Sequence, residues 1–117
     1  MQDKEKIIIN NHIEGDPLSE ENLNKTLEYV NRFRLLIPEK TIWLYSGYTW
    51  EEIQNPKIRN NASKMKQIIM SCVDIFVDGR YIDSQRDVSL RWRGSKNQRV
   101  VDTQKSLQQG KVVLYCD

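Results

Sequence analysis

The sequence predicts an α/β domain with a mainly parallel sheet and flanking helices. β-branched or apolar runs at Ile7–Ile13, Thr41–Tyr45 and Val73–Val77 alternate with stretches whose apolar residues recur every three or four positions. Thr41-Ile42-Trp43-Leu44-Tyr45 lacks the in–out alternation of a half-exposed strand and reads as buried on both faces. The 117 residues suit one domain, 1–117, with a core of its own.

Each element has a local reason. The first strand stops at Asp16-Pro17, and Ser19 is placed to cap the next helix. From Glu20 onward, Leu23, Leu27, Val30, Phe33 and Ile37 form one helical stripe, closed by Pro38. Gly47 ends the second strand, and Thr49-Trp50-Glu51-Glu52 has the spacing of a capping box. Asn55-Pro56 is expected to restart the helix, with Ile58, Ala62, Met65, Ile69 and Cys72 as its buried stripe. Val73–Val77 is the third strand, ended by Asp78-Gly79.

Beyond Gly79 the pattern weakens. Leu90–Arg93 is extended in character, Gly94-Ser95 is a turn, and Arg99–Val101 is a short strand. Asp102 or Thr103 to Gln109 forms a helix capped by Gly110, and Lys111–Cys116 is the last strand. Trp43, Leu44, Ile75 and Phe76 are assigned to the core.

Composition excludes several classes. Hydrophobic residues at 38% and charged residues at 29% rule out a disordered tail, and no apolar run approaches the ~20 residues of a membrane span. The N-terminal residues do not read as a signal peptide, so the expected compartment is the cytoplasm. The net charge of +2 hides an asymmetry: Arg80–Lys105 holds seven basic and three acidic residues. Such a segment suits a phosphate, a carboxylate or an acidic partner surface, and otherwise a solvated face. No aromatic-interleaved basic strand is present, so nucleic acid is not an expected partner.

Catalytic motifs are scarce. The sequence has no phosphate-binding glycine loop, no H-E-x-x-H and no G-x-S-x-G. The one histidine, His12, is expected as a partly exposed strand residue. Asp74 and Asp78 share a strand face, which by itself argues for no hydrolase. The two cysteines, Cys72 and Cys116, are too few and too far apart for a metal site and read as buried thiols at strand ends.

Four segments are more specific. Glu14-Gly15-Asp16-Pro17-Leu18 resembles a G-G-D-P-L motif, with glutamate in place of the first glycine. Ile42–Glu52 resembles a W-[LV]-[YW]-T-G-Y strand and turn. Asp74–Tyr81 is similar to D-x-L-V-D-G-x-[FY], and Ser89–Val100 to S-L-x-[WF]-R-G-S-x-N-Q-[RV]. In this order they resemble, over about Gly15 to Asp102, the activating proteins of anaerobic ribonucleoside-triphosphate reductases, a family of radical S-adenosylmethionine glycyl-radical activases.

The resemblance implies an open, partial radical-SAM barrel of which this chain is the C-terminal part. It also implies a 4Fe-4S cluster held by C-x-x-x-C-x-x-C, S-adenosylmethionine on its open iron, and hydrogen abstraction from a backbone glycine of the reductase's large subunit. C-x-x-x-C-x-x-C does not occur in the sequence, so the chain alone is expected to hold neither group and to be inactive. Gly15, Asp16 and Pro17 match the motif that contacts the cofactor's amine, and Ser46, Tyr48 and Asp78 belong to strand-end loops that would face it. Asp78 could instead bond an arginine. Arg91, Arg93, Ser95, Asn97 and Gln98 would line the cofactor pocket or meet the reductase. The alternative is a non-catalytic binding module docking the reductase or another acidic partner through Arg80–Lys105. A free sheet edge further predicts a homo-oligomer.

Overall fold

In the computed structural model, which describes residues 5–10 and 15–116, five strands form one sheet in chain order. β1 (Lys6–Ile9), β2 (Thr41–Tyr45) and β3 (Ile75–Asp78) run parallel. β4 (Arg99–Asp102) is antiparallel to β3, and β5 (Leu114–Cys116) is antiparallel to β4. Ile8 pairs with Trp43, Trp43 with Ile75, and Phe76 with Val101.

The sheet is therefore mixed, and the expected mainly parallel sheet is corrected. A parallel neighbour needs a long, usually helical crossover. Between β3 and β4 the chain forms no α-helix, only a 3-10 turn at Asp83–Gln85, and it returns antiparallel.

Alternation along the strands builds two cores. Ile42, Leu44, Phe76 and Val101 point to one face, where they meet Leu23 and Val30 of α1 (Leu23–Leu36), Trp50 and Ile53 of α2 (Trp50–Ile53), and Ile69 and Met70 of α3 (Asn61–Cys72). On the opposite face Trp43, Ile75, Val77 and Val100 form a smaller cluster, covered by Trp92. Burial at about 25 cal/mol per Å² of apolar surface is the main favourable term for both.

Capping decides where helices begin. Thr49 and Glu52 form the expected capping box, each side chain accepting from the other's backbone N–H. The expected restart at Asn55-Pro56 does not occur. Asn55 accepts from Lys57 N at 2.9 Å and closes a turn, while Asn60 and Ser63 form a second capping box that opens α3. Ile58 is left outside the helix and 46% exposed. α4 (Thr103–Gln109) is capped by Asp102 and ends at Gly110, whose φ of +71° suits glycine.

The expected extended segment Leu90–Arg93 is also corrected. It forms no strand, and Trp92 has a φ of +70°. Its ring lies 5.3 Å from that of Trp43, and its carbonyl accepts the Tyr45 hydroxyl at 2.8 Å. Packing overrides the local backbone preference, which costs about 1–2 kcal/mol for a non-glycine residue. Cys72 closes α3 rather than a strand, Cys116 lies in β5, and both are free, half-buried thiols. No helix among the described residues is long and apolar enough to cross a membrane. His12 and Glu14 lie outside the described residues.

Candidate functional site

The carboxyl ends of β1, β2 and β3 share one edge of the sheet because the three strands are parallel. Open α/β sheets bind ligands at such an edge. Here it carries a cleft of about 500 Å³ lined by Asn10, Asp16, Tyr45, Ser46, Gly47, Gly79, Arg80, Tyr81 and Gln98.

Asp16 ties the loops after β1 and β2 together. Its Oδ1 accepts from Leu18 N and from the Ser46 hydroxyl, both at 2.8 Å, and its Oδ2 accepts from Gly47 N at 2.7 Å. The Asp16 carbonyl takes the Ser19 hydroxyl and the Asn22 side-chain amide. A Cβ on Gly47 would stand 3.3 Å from Asp16 Oδ2 and 3.1 Å from Arg80 Cγ, so the turn has little room for a side chain. Ser46 N donates to Val77 O and Gly79 N to Tyr48 O, which joins the β2 loop to the end of β3.

Asp78 is 1% exposed and turns away from this cleft into an ion network. Its Oδ2 accepts from Trp50 N at 2.9 Å, and Arg99 donates to both carboxylate oxygens. Arg99 also forks onto Glu51, at 2.6 and 3.1 Å. Of the two partners the sequence left open for Asp78, the arginine is the one formed. The hydrogen bond from Arg99 holds the Glu51 carboxyl below its ordinary range, and the bonds to Asp78 and Glu51 raise the Arg99 guanidinium. Asp74, at the other end of β3, accepts from Arg34 and from Ile42 N, both at 2.8 Å.

The signature block folds against the strand ends. The Gln98 amide is used on both sides, accepting from Gly94 N and Ser95 N and donating to Gly79 O at 3.0 Å. Asn97 donates to Arg80 O at 2.7 Å and accepts from the fully buried Ser95 hydroxyl at 2.6 Å. Ser95 Oγ also accepts from Ile82 N. These three side chains fix the loop that carries Arg80 and Tyr81. Gly94 packs on the Tyr81 ring, where a Cβ would come within 3.1 Å. Arg91 is exposed, with its guanidinium 5.6 Å from the Trp92 ring centre. Arg93 is half-buried, and its charge helps to lower the Asp87 carboxyl, which is lowered chiefly by its bond from the Ser89 hydroxyl.

The candidate residues are thus only partly brought together. Asp16, Ser46 and Gln98 line the strand-end cleft. Gly15, with a φ of +88°, and Pro17 line an adjoining groove between β1 and α1 of about 450 Å³. Tyr48 faces a third hollow, its ring under Lys66 Nζ at 3.8 Å. Sequence reasoning missed Tyr45, Arg80 and Tyr81 as lining residues, although their places at strand ends were the available signal. It also missed the Arg99–Glu51 pair, whose residues are far apart in the chain.

Two cofactors can be tested against these residues. The sequence supplies two cysteines, one at the end of α3 and one in β5, and among the described residues no group of three His, Cys, Asp or Glu is placed to hold a metal. These residues do not fit a 4Fe-4S cluster. S-adenosylmethionine fits better: the cleft has the volume of a small-molecule site, with aromatic rings, a glycine turn and charges of both signs.

The arrangement defines an α/β domain with a cleft at its parallel strand ends, and comparison places it. A family profile described as "4Fe-4S single cluster domain" matches residues 3–101, and the chain belongs to that family. Its curated homologues carry the name "anaerobic ribonucleoside-triphosphate reductase-activating protein". The Vibrio cholerae protein is 38% identical over 84 residues, 72% of this chain and 48% of the relative. That of Escherichia coli K12 is 37% identical over 86 residues, 74% of this chain and 50% of the relative. That of Enterobacteria phage T4 is 33% identical, over 74% of this chain and 47% of the relative. The chain spans about half the length of the curated relatives it matches. No solved structure matches it.

Proposed function

We propose that this chain forms the S-adenosylmethionine-binding side of an activase for an anaerobic ribonucleoside-triphosphate reductase, as the C-terminal part of an open, partial radical-SAM barrel. The observation that carries this reading is the convergence, at one sheet edge, of three segments that resemble activase motifs: Asp16, Ser46-Gly47 and Gly79-Arg80. When bound, S-adenosylmethionine supplies the group whose reductive cleavage drives hydrogen abstraction from a glycine. The residues here bind and orient. Asp16 sets the Ser46-Gly47 turn, the Asp78–Arg99–Glu51 network fixes α2 behind it, and the Asn97-Gln98 amides hold Arg80 over the cleft. The reductase's large subunit is the macromolecular partner in this reading.

The amides and Arg99 of the Arg80–Lys105 segment are engaged internally, which disfavours a purely electrostatic docking module. Radical formation needs three thiolates that this sequence does not contain. The test is a chimera in which a C-x-x-x-C-x-x-C segment from a relative is joined ahead of Gly15. After anaerobic reconstitution with iron and sulfide, the chimera should give a glycyl-radical resonance on the reductase, and the unmodified chain none. A chimera that holds its cluster and still cleaves no S-adenosylmethionine would overturn the proposal.

A further inference from the structure

Arg80 stands out among the lining residues of the cleft. It is exposed, and among the described residues its guanidinium forms no ion pair or hydrogen bond. Its backbone is nevertheless fixed, because Asn97 donates to its carbonyl at 2.7 Å. Its stem crosses the glycine turn, with Cγ and Nε at 3.1 and 3.7 Å from where a Gly47 Cβ would lie. The Asp16 carboxylate lies beside the same turn, with Oδ2 at 3.3 Å from that point. The two oxygens of Asp16 already accept three hydrogen bonds from the protein.

A positioned, unengaged guanidinium on a small cleft is an anion-recognition group, and its planar fork matches a carboxylate. The neighbouring Asp16 decides which anion. A phosphate, carrying nearly two negative charges, would be repelled by that carboxylate, whereas a zwitterion sets its ammonium towards it and its carboxylate towards Arg80. We infer that Arg80 is the residue that recognises the carboxylate of an α-amino-acid head group, so that the cleft selects amino-acid-bearing nucleosides over neutral or phosphorylated ones. This rests on the reading of the cleft as an adenosyl site and adds a specificity residue to it.

The test is an amide-shift NMR titration of the unmodified chain with three ligands, which reads weak binding without iron. The ligands are S-adenosylhomocysteine, with the zwitterionic head, 5′-methylthioadenosine, without it, and adenosine monophosphate. S-adenosylhomocysteine should bind about tenfold more tightly than the other two, and the advantage should shrink as salt is raised. Arg80→Gln should abolish the preference, and Arg80→Lys should restore part of it. Equal binding of 5′-methylthioadenosine and S-adenosylhomocysteine, or a preference that survives Arg80→Gln, overturns the inference and leaves the adenosyl cleft standing. Tighter binding of the monophosphate overturns it too. Failure of all three ligands to shift Asp16, Ser46 or Gly79 overturns the adenosyl reading as well.

Discussion

At Asp78 a carboxylate is removed from water, and it is stable there because each of its oxygens has a donor from Trp50 or Arg99. Removing the charge leaves Arg99, a third exposed, holding only the exposed Glu51. Asp78→Asn keeps the size and should lower unfolding free energy by about 2 kcal/mol, measured by urea denaturation. A change within error would show that the network has no structural role. Glu51 carries a pH signature. Its carboxyl is held below the ordinary value of 4.5 by Arg99, so its stabilisation is complete at neutral pH. That contribution is lost as pH falls through 4.5 and then through the lower folded value. Glu51→Gln should therefore flatten the loss of stability below pH ~5, and an unchanged acid profile would contradict the assignment.

At the scale of elements, the two capping boxes place α2 and α3 on one face of the sheet. Thr49→Ala should cost about 1 kcal/mol, seen as a lower Tm, because Glu52 N loses its acceptor at the start of a helix of only one turn. The first three strands and α1 were legible because period and burial agree in them: Ile42, Trp43 and Leu44 are all buried, and Val30 lies on the expected stripe. The Thr49–Glu52 box was legible from spacing alone. The start of α3 was not, since Asn55-Pro56 and Asn60–Ser63 are both credible starts and only packing chooses between them. The antiparallel return of β4 and the left-handed Trp92 were hidden for the same reason, being set by contacts with β3 and Trp43. Of the site, strand-end loops were readable as motif words. The Arg99–Glu51 pair was not, because its two residues are brought near only by the fold.

For the whole molecule, the sheet ends at β1 on one side and β5 on the other. β1 carries three isoleucines, with Ile8 more than half exposed, and β5 exposes Leu114 and Tyr115. Exposed strand edges of this kind pair with further strands. Sedimentation should show reversible self-association that rises with concentration, and Ile8→Lys should weaken it; a monomer at every concentration would contradict this. In the proposed reading the same folded frame carries one half of a chemistry and lacks the other: a cleft at the parallel strand ends is formed, while the thiolates for a cluster are not among these residues. The most direct measurement of that division is anaerobic reconstitution of the purified chain with iron and sulfide, followed by iron analysis and visible spectroscopy. Neither stoichiometric iron nor cluster absorbance is expected. A brown protein with a full 4Fe-4S complement that cleaves S-adenosylmethionine would contradict the division.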